Sequence, residues 1–214
     1  MMTKKDLELY IHIPFCVRKC AYCDFLSGPA DVGARAAYVD ALIGEIKLRG
    51  EYYRDYCVKT IFLGGGTPSV LEGADTARIF HALRHAFTMD ENCEITMEVN
   101  PGTVTEEKAR IWKECGINRI SVGLQSVNDD ELNMLGRIHT FGQFRDTREV
   151  LRKTGFANLN LDLISAIPGQ TVESWERTLR TAAELHPEHI SAYSLIVEEG
   201  TPFYDLYGRE AEPA

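Results

Sequence analysis

Three cysteines stand close together near the start of the chain. Cys16, Cys20 and Cys23 have the spacing Cys-x₃-Cys-x₂-Cys and follow an apolar run. Thiolates at short spacing bind soft metals. A structural zinc site needs four ligands, and a four-iron cluster normally has one thiolate on each iron. Three thiolates therefore predict an iron–sulfur cluster with one iron open to an outside ligand. The alternatives are a zinc site completed by His12 or Asp24, and a set of unrelated buried cysteines.

Glycine-rich and polar motifs recur at the ends of later apolar runs. The run "GGGTPS", residues 64–69, would let a ligand approach the backbone closely, although such a run more often forms a tight turn without a ligand. Glu98 and Asp162 are carboxylates within apolar runs, where burial is costly unless they are paired. Gln125 and Arg137 follow the fourth run. Their repeated position predicts convergence on a polar ligand; the alternative is a structural role, such as a salt bridge at Glu98.

Alternating strands and helices must position these motifs. Six strand-like runs are separated by amphipathic stretches, and they cover residues 7–13, 58–64, 94–99, 119–124, 158–164 and 189–195. Strict alternation predicts an α/β fold with a parallel sheet and right-handed crossovers. An eight-unit barrel takes about 250 residues, or roughly 31 per unit. The chain therefore fits a partial (β/α)₆ barrel, with a doubly wound open sheet as the alternative. In either fold the site lies at the carboxyl ends of the strands.

Local sequence signals predict where three helix ends lie. Thr103 with Glu106 fits a capping box that opens the third helix, and Gly116 fits the position that closes it. Asn128 with Glu131 is expected to cap the fourth helix.

Composition limits the class of protein. The 214 residues are 44% hydrophobic and 26% charged, which suits one globular domain spanning residues 1–214. The sequence contains no apolar run of about 18 residues and no signal-peptide pattern, so we expect a cytoplasmic protein that is not integral to a membrane. The net charge of −9 argues against nucleic acid as a partner. In a reducing compartment isolated cysteines usually pack in the core, as we expect for Cys57, Cys93 and Cys115.

The motifs together resemble those of the radical S-adenosylmethionine (SAM) superfamily. In chain order they read "YIHIPFCVRKCAYCDF", "FLGGGTPS", "MEVNPGT", "NRISVGLQS", "LGRIHT", "NLDLISAIPGQT" and "HISAYSLIVEEGTPFY". This set, covering almost the whole chain, is similar to the oxygen-independent coproporphyrinogen III oxidase family and most similar to its heme-chaperone branch, HemW. The resemblance implies a [4Fe-4S] cluster held by Cys16, Cys20 and Cys23, with the amino and carboxylate groups of SAM on the open iron. There an electron from the cluster would cleave the sulfonium to give a 5′-deoxyadenosyl radical.

The resemblance also implies roles for individual residues. The residues that contact the cluster-bound SAM would be Tyr10, Gly65 and Glu98. A second SAM site, present in the oxidase branch, would be lined by Tyr22, Gly66, Thr67, Gln125, Arg137 and Asp162, with a backbone contact from Ile196. For Tyr22 the alternative is a hydrophobic shield over the cluster, which would still affect its potential.

Two departures from the family pattern bear on function. The decarboxylating branch has a fourth cysteine two residues after the third, where this chain has Phe25. The difference favours a chaperone that carries heme to an acceptor protein and uses an electron donor for its cluster. The alternatives are the decarboxylase that converts coproporphyrinogen III to protoporphyrinogen IX, and a radical SAM enzyme with another substrate. Residues 165–167 read Ser-Ala-Ile where the family commonly has Tyr-Gly-Leu.

The resemblance implies a longer chain as well. Family members continue into a C-terminal domain with a His-Asn-x-x-Tyr-Trp motif, whereas this sequence stops at Ala214. We expect a fragment or a shortened relative that is less stable than the full-length family chain because its sheet edge is uncovered. His12 is expected to form structural hydrogen bonds rather than to ligate heme. A chaperone of this kind would be cytoplasmic or associated peripherally with a membrane.

Overall fold

Six strands alternate with seven helices in the computed structural model, which describes residues 4–208. The strands are β1 (Lys5–Ile13), β2 (Tyr56–Gly65), β3 (Thr88–Val99), β4 (Arg119–Gln125), β5 (Asn158–Ser165) and β6 (His189–Ser194). The helices are α1 (Val32–Tyr52), α2 (Gly73–Ala86), α3 (Glu106–Glu114), α4 (Asp129–Met134), α5 (Phe141–Lys153), α6 (Val172–Glu184) and α7 (Pro202–Tyr207). Within residues 4–208 no helix combines the length and apolar character needed to cross a lipid bilayer.

The sheet order distinguishes between the two predicted architectures. The strands form one parallel sheet in the order β1-β2-β3-β4-β5-β6, so each strand pairs with the next one along the chain. Right-handed crossovers in this order carry every helix to the same face of the sheet. A doubly wound sheet would reverse its order partway, and that alternative is excluded. The predicted partial (β/α)₆ barrel is confirmed, with β1 and β6 at the edges of the described sheet.

The residues of β1 show how the sequence assigns the two faces of the sheet. Leu9, Ile11 and Ile13 alternate with Tyr10 and His12, and successive side chains of a strand point to opposite faces. The aliphatic set belongs to the main hydrophobic core, in which Ile13 is fully buried. The polar set therefore faces the concave side of the half-barrel. The carboxyl end of that side carries the predicted site.

Two predicted helix ends are confirmed. Asn128 opens α4 by accepting a hydrogen bond from the N–H of Asp130 at 3.0 Å. Gly116 follows the end of α3 with φ +82°, the left-handed conformation that glycine adopts at little cost. Glu131, predicted to assist Asn128, is instead buried and accepts a 2.5 Å hydrogen bond from the hydroxyl of Ser126.

The predicted cap at Thr103 is wrong. Helix α3 begins after Thr105, whose side chain accepts the N–H of Lys108 at 3.2 Å. Thr103 donates its hydroxyl hydrogen to the carbonyl oxygen of Asn100 at 2.7 Å. That bond stabilises the turn after β3. Thr105, two residues later, is the residue that caps the helix.

Candidate functional site

The cysteine loop joins β1 to α1 at the carboxyl end of the sheet. The N–H of Cys16 donates to the carbonyl oxygen of Gly28 at 2.9 Å, and the N–H of Gly28 donates to Pro14 at 3.1 Å. The N–H of Cys23 donates to the carbonyl oxygen of Cys20 at 3.2 Å, which closes a turn between them. All three thiols are free and partly exposed. These hydrogen bonds therefore give the loop a defined backbone conformation.

Two distant segments hold this loop in place. The guanidinium of Arg18 donates to the carbonyl oxygen of Gly136 at 2.7 Å, and the N–H of Ala21 donates to Leu135 at 3.2 Å. These contacts fix the loop to the connection between α4 and α5. On its other side, the N–H of Phe203 in α7 donates to the carbonyl oxygen of Ala21 at 3.1 Å. The two segments together restrict where the thiols can lie.

A second, smaller hydrophobic cluster lies beside the loop. It consists of Leu135, Ile164, Ile167 and Phe203, with Tyr22 packed against it. The rings of Tyr22 and Phe203 meet edge to face at 6.4 Å. Burial raises the pKa of the Tyr22 hydroxyl to about 12. This position suits the shielding role that was the alternative for Tyr22, and Phe203 is a residue of this region that the sequence did not single out.

Hydrogen-bond donors point at the cysteine sulfurs. The hydroxyl of Thr67 lies 3.5 Å from the Sγ of Cys16, and Nη1 of Arg137 lies 3.7 Å from the Sγ of Cys20. Burial raises the pKa of the Cys23 thiol, and a backbone hydrogen bond at Phe25 acts in the opposite direction. Donors of this kind suit thiolates that bind a metal cluster.

His12 does not complete a zinc site with these thiols. Its Nε2 lies 3.0 Å from the carbonyl oxygen of Leu26, which can only accept, so Nε2 carries the hydrogen. Nδ1 then accepts from the hydroxyl of Tyr10 at 3.0 Å. Both ring nitrogens are engaged, which confirms the structural role predicted for His12. Within residues 4–208 no three His, Cys, Asp or Glu side chains are placed to hold one metal ion, whereas in a four-iron cluster each cysteine binds a separate iron.

The glycine turn at the end of β2 bonds to the last residue of β1 and to the cysteine loop. The N–H of Gly66 donates to Ile13 at 2.8 Å, and the N–H of Thr67 donates to Phe15 at 2.7 Å. A Cβ at Gly66 would lie 2.6 Å from the carbonyl oxygen of Phe15, so only glycine fits there. Gly65 has φ +112°, and a Cβ there would lie 2.5 Å from the ring of His12. Close packing against His12 and Phe15 thus explains why residues 65 and 66 are glycines, without a bound ligand.

Glu98 on β3 lies against the same turn. Its Oε2 accepts the N–H of Gly65 at 3.1 Å. Burial raises the pKa of the Glu98 carboxyl to about 7, and the charge of Asp162 acts in the same direction. Within the described residues Glu98 has no salt bridge, the structural alternative considered for it. Tyr10 and Gly65 both adjoin His12, and Glu98 bonds to Gly65, so the three residues lie in one region of the rim.

Arg137 is buried beside the cleft that adjoins the cysteine loop. Its Nη2 donates to Oδ1 of Asn100 at 2.6 Å and to the carbonyl oxygen of Gly123 at 2.9 Å. Asn100, which sequence reasoning did not assign although it lies in the motif "MEVNPGT", also donates from Nδ2 to the Thr67 hydroxyl at 2.8 Å. His139 lines the same cleft, and burial lowers its pKa to about 4, which keeps its ring neutral at pH 7.

Asp162, Gln125 and Ile196 lie farther along the rim. Asp162 accepts hydrogen bonds from Ser121 at 2.8 Å and from Asn160 at 2.7 Å. Gln125 is 9% exposed and has φ +68°, which places a strained turn at the end of β4. Ile196 is 66% exposed in the segment after β6. The structure brings the cysteines, Thr67 and Arg137 together, and it places Asp162 within a separate network.

Comparison with known proteins assigns the chain to a superfamily. The sequence matches the Radical SAM superfamily over residues 10–182, which include the cysteine loop and the first five strand ends. The chain therefore belongs to the radical SAM superfamily. Membership implies a [4Fe-4S] cluster and SAM as cofactors, and the donors aimed at the sulfurs of Cys16 and Cys20 fit such a cluster.

More specific similarity extends across nearly the whole chain. The heme chaperone HemW of Escherichia coli (strain K12) is 40% identical over 209 residues, covering 95% of this chain and 54% of that protein. HemW of Haemophilus influenzae is 39% identical over 203 residues, covering 92% and 53%. Coproporphyrinogen III oxidase (HemN) from Escherichia coli, a radical SAM enzyme, has a similar structure with a TM-score of 0.83 at 31% identity, covering 90% of this chain and 44% of that one. The chain spans about half the length of the curated relatives it matches.

Proposed function

We propose that residues 1–214 form a single radical SAM core of a heme chaperone of the HemW type, which binds heme and delivers it to an acceptor protein. The observation that carries this proposal is the cysteine loop itself. Three cysteines are present, and the position of the decarboxylases' fourth cysteine is Phe25, whose side chain is 70% exposed. The similarity to HemW proteins supports the same choice. The free cysteines suit the reducing cytoplasm.

In this proposal the cluster is held by Cys16, Cys20 and Cys23 through three of its irons. When bound with SAM on the fourth iron, the cluster supplies one-electron reduction at the sulfonium. Tyr10, Gly65 and Glu98 would orient the amino end of SAM. Their grouping at one rim of the sheet supports this role, and the ionised Glu98 carboxylate would accept hydrogen bonds from the ammonium group.

A second SAM site remains part of the proposal. Its residues would be Tyr22, Gly66, Thr67, Gln125, Arg137, Asp162 and Ile196. Support comes from Thr67 and Arg137, which line the cleft next to Cys20. The N–H groups of Gly66 and Thr67 already bond to the cysteine loop, so a ligand there would use the carbonyl and side-chain groups.

The second candidate is coproporphyrinogen III oxidase activity. The observation that favours it is the structural similarity to HemN, with a TM-score of 0.83. The two candidates differ in whether a porphyrinogen loses carboxyl groups or heme is bound without turnover. An electron donor is required in both.

Anaerobic reconstitution tests the two candidates. The purified chain is supplied with iron and sulfide, and iron content, SAM binding and heme binding are then measured, the last by absorption. Separate samples receive coproporphyrinogen III, SAM and a reductant. Four irons, bound SAM and a heme absorption change without release of CO₂ are expected. Cys20→Ser should lose the cluster completely, and Cys57→Ser, a matched change outside the loop, should keep it.

Other outcomes would replace or reject the proposal. Release of two CO₂ per porphyrinogen would establish the oxidase. A cluster that binds SAM while heme leaves the absorption unchanged would reject heme transfer by this chain and keep its cofactor assignment. Zinc without labile sulfide would reject the cluster.

A further inference from the structure

A buried positive charge lies next to one of the proposed cluster ligands. Arg137 is 8% exposed, and its Nη1 lies 3.7 Å from the Sγ of Cys20. Its Nη2 donates to Oδ1 of Asn100 and to the carbonyl oxygen of Gly123. These neutral oxygens accept the two hydrogens of Nη2, but they do not compensate the charge of the guanidinium.

No carboxylate in residues 4–208 forms a salt bridge with Arg137. Removing a guanidinium from water costs several kcal/mol unless an anion or a set of dipoles replaces the solvent. Exposed arginines of this chain, such as Arg78 and Arg180, do have carboxylate partners. Two ionisable groups adjoin Arg137. Burial raises the pKa of the Tyr22 hydroxyl to about 12 and keeps it neutral at pH 7, so the compensating negative charge would come from the thiolate of Cys20 and any cluster bound to it.

Arg137 is also part of a continuous hydrogen-bond chain between two of the cysteines. Thr67 donates its hydroxyl hydrogen to Cys16 and accepts from Nδ2 of Asn100 at 2.8 Å. Oδ1 of Asn100 accepts from Nη2 of Arg137, whose Nη1 points at Cys20. Each donor and acceptor has a partner, and both ends of the chain are sulfur atoms. An arrangement that served only the folding of the loop would not require donors at both sulfurs.

We propose that Arg137, positioned by Asn100, sets the reduction potential of the cluster. This inference rests on the proposed cluster at Cys16, Cys20 and Cys23 and adds a role to it. Reduction adds one negative charge to the cluster, so a nearby cation and donors to its sulfurs favour the reduced form and raise the potential. In the buried site the charge of Arg137 is screened weakly, which increases its effect.

The test compares four purified proteins, each reconstituted anaerobically and titrated with dithionite without SAM. Dithionite dissociates into two sulfur dioxide radical anions, and each gives one electron to a cluster and becomes sulfur dioxide, which water hydrates to sulfite; no bond to the cluster forms or breaks. Arg137→Gln removes the charge but keeps an amide near the sulfur. Asn100→Asp keeps Arg137 and places a carboxylate against it. Arg145→Gln is the control, because Arg145 carries the same charge at an exposed position of α5, outside the cysteine loop and its cleft.

The expected result is a lower potential in both Arg137→Gln and Asn100→Asp. We expect at least a tenfold decrease in the equilibrium constant for one-electron reduction in Arg137→Gln, which corresponds to 59 mV. Asn100→Asp should shift the potential in the same direction by a smaller amount. Arg145→Gln should keep the wild-type value, since solvent screens the charge of Arg145.

Each alternative result contradicts the inference. Wild-type potentials in both Arg137→Gln and Asn100→Asp, at full iron content, would show that the buried charge does not act on the cluster. Loss of iron from both variants, with full iron in Arg145→Gln, would assign Arg137 and Asn100 to cluster assembly instead. Absence of a cluster from the wild-type chain would reject the proposed function itself, which keeps the two failures distinct.

Discussion

The two sides of the rim differ in how their buried polar groups are satisfied. On the side formed by β1 to β4, Glu98 accepts one hydrogen bond, from Gly65, and Arg137 has no carboxylate partner among the described residues. On the side formed by β5 and β6, Asn160 is 2% exposed and has partners at both ends of its amide. Incompletely compensated groups indicate a place for a ligand, whereas a saturated network needs none.

The network around Asn160 joins three strands. Nδ2 of Asn160 donates to Ser121 and Asp162, each at 2.7 Å, and its Oδ1 accepts from Ser191 at 3.0 Å and contacts His189. Burial raises the pKa of the Asp162 carboxyl, while hydrogen bonds from Ser121, Asn160 and Ser191 act in the opposite direction. Asp162 therefore supports the sheet in this structure, and a contact with SAM would have to add to these bonds.

The largest expected effect on stability comes from removing the amide at the centre of the hydrogen-bond network around Asn160. Asn160→Leu keeps about the same side-chain volume but removes the amide's hydrogen bonds to Ser121, Asp162 and Ser191, which should lower the free energy of unfolding by about 3 kcal/mol. Urea denaturation of the protein without cofactors measures this change. Asn133→Leu, at an exposed position of α4, is the control and should change stability little. Loss of cluster binding in Asn160→Leu under conditions where it remains folded would contradict the division between the two sides.

A smaller effect is expected at Glu98, on the incompletely compensated side. Its pKa in the folded protein is about 7, above the ordinary value of 4.5, so the folded state holds a proton that the unfolded state releases between these values. This contribution to stability is complete below pH 4.5 and is lost as the pH rises through 7. Glu98→Gln should remove this pH dependence, a difference on the order of 2 kcal/mol between pH 5 and 8.

Urea denaturation at several pH values measures the effect of Glu98→Gln. Glu94→Gln is the control, because Glu94 is exposed on the same strand. It should keep the pH dependence of the wild-type protein. A parallel pH profile in wild type and Glu98→Gln would mean that Glu98 does not hold its proton at a raised pKa, and the comparison would fail at that residue.

The smallest effect concerns the turns that end β2 and β5. Gly65 occupies a left-handed conformation after β2, and Ala166 has φ +58° after β5, where the related family commonly has glycine. A left-handed alanine costs about 1–2 kcal/mol, partly offset by the greater freedom of glycine in the unfolded chain. Ala166→Gly should therefore stabilise the protein by about 0.5–1 kcal/mol in thermal or urea unfolding. Ala37→Gly, at an exposed position of helix α1, should destabilise the protein by a similar amount.

The order of the strands could be predicted because the signals for it are local. The alternation of Tyr10 and His12 with aliphatic residues marks β1, and each later run is followed by a helical pattern. The first half of β3 was missed: the strand starts at Thr88, where polar residues pair with β2 across an irregular register. The proposed cap at Thr103 failed because its hydroxyl bonds to Asn100 rather than to a helix N–H.

The candidate site could be predicted only in part. The cysteine spacing and the glycine turn are readable because their residues are close in sequence. The bond between Arg137 and Cys20, and the contact of Phe203 with Ala21, join segments that are far apart along the chain. Neither residue type nor spacing indicates which distant donor will reach a particular sulfur. The resemblance placed Arg137 in a ligand site, and the structure adds a contact of its guanidinium with the thiol of Cys20.

The contact between Phe203 and Ala21 has a consequence for how the protein is made. The cysteine loop precedes α7 in the chain, so it is synthesised well before α7. At roughly 5–20 residues per second on the ribosome, Phe203 follows the loop after about ten to forty seconds. Through that interval the three thiols lack one of their packing partners. Iron and sulfide delivered after translation would meet a loop already held in its final shape, whereas iron delivered earlier would meet a nascent chain still free to bind it wrongly.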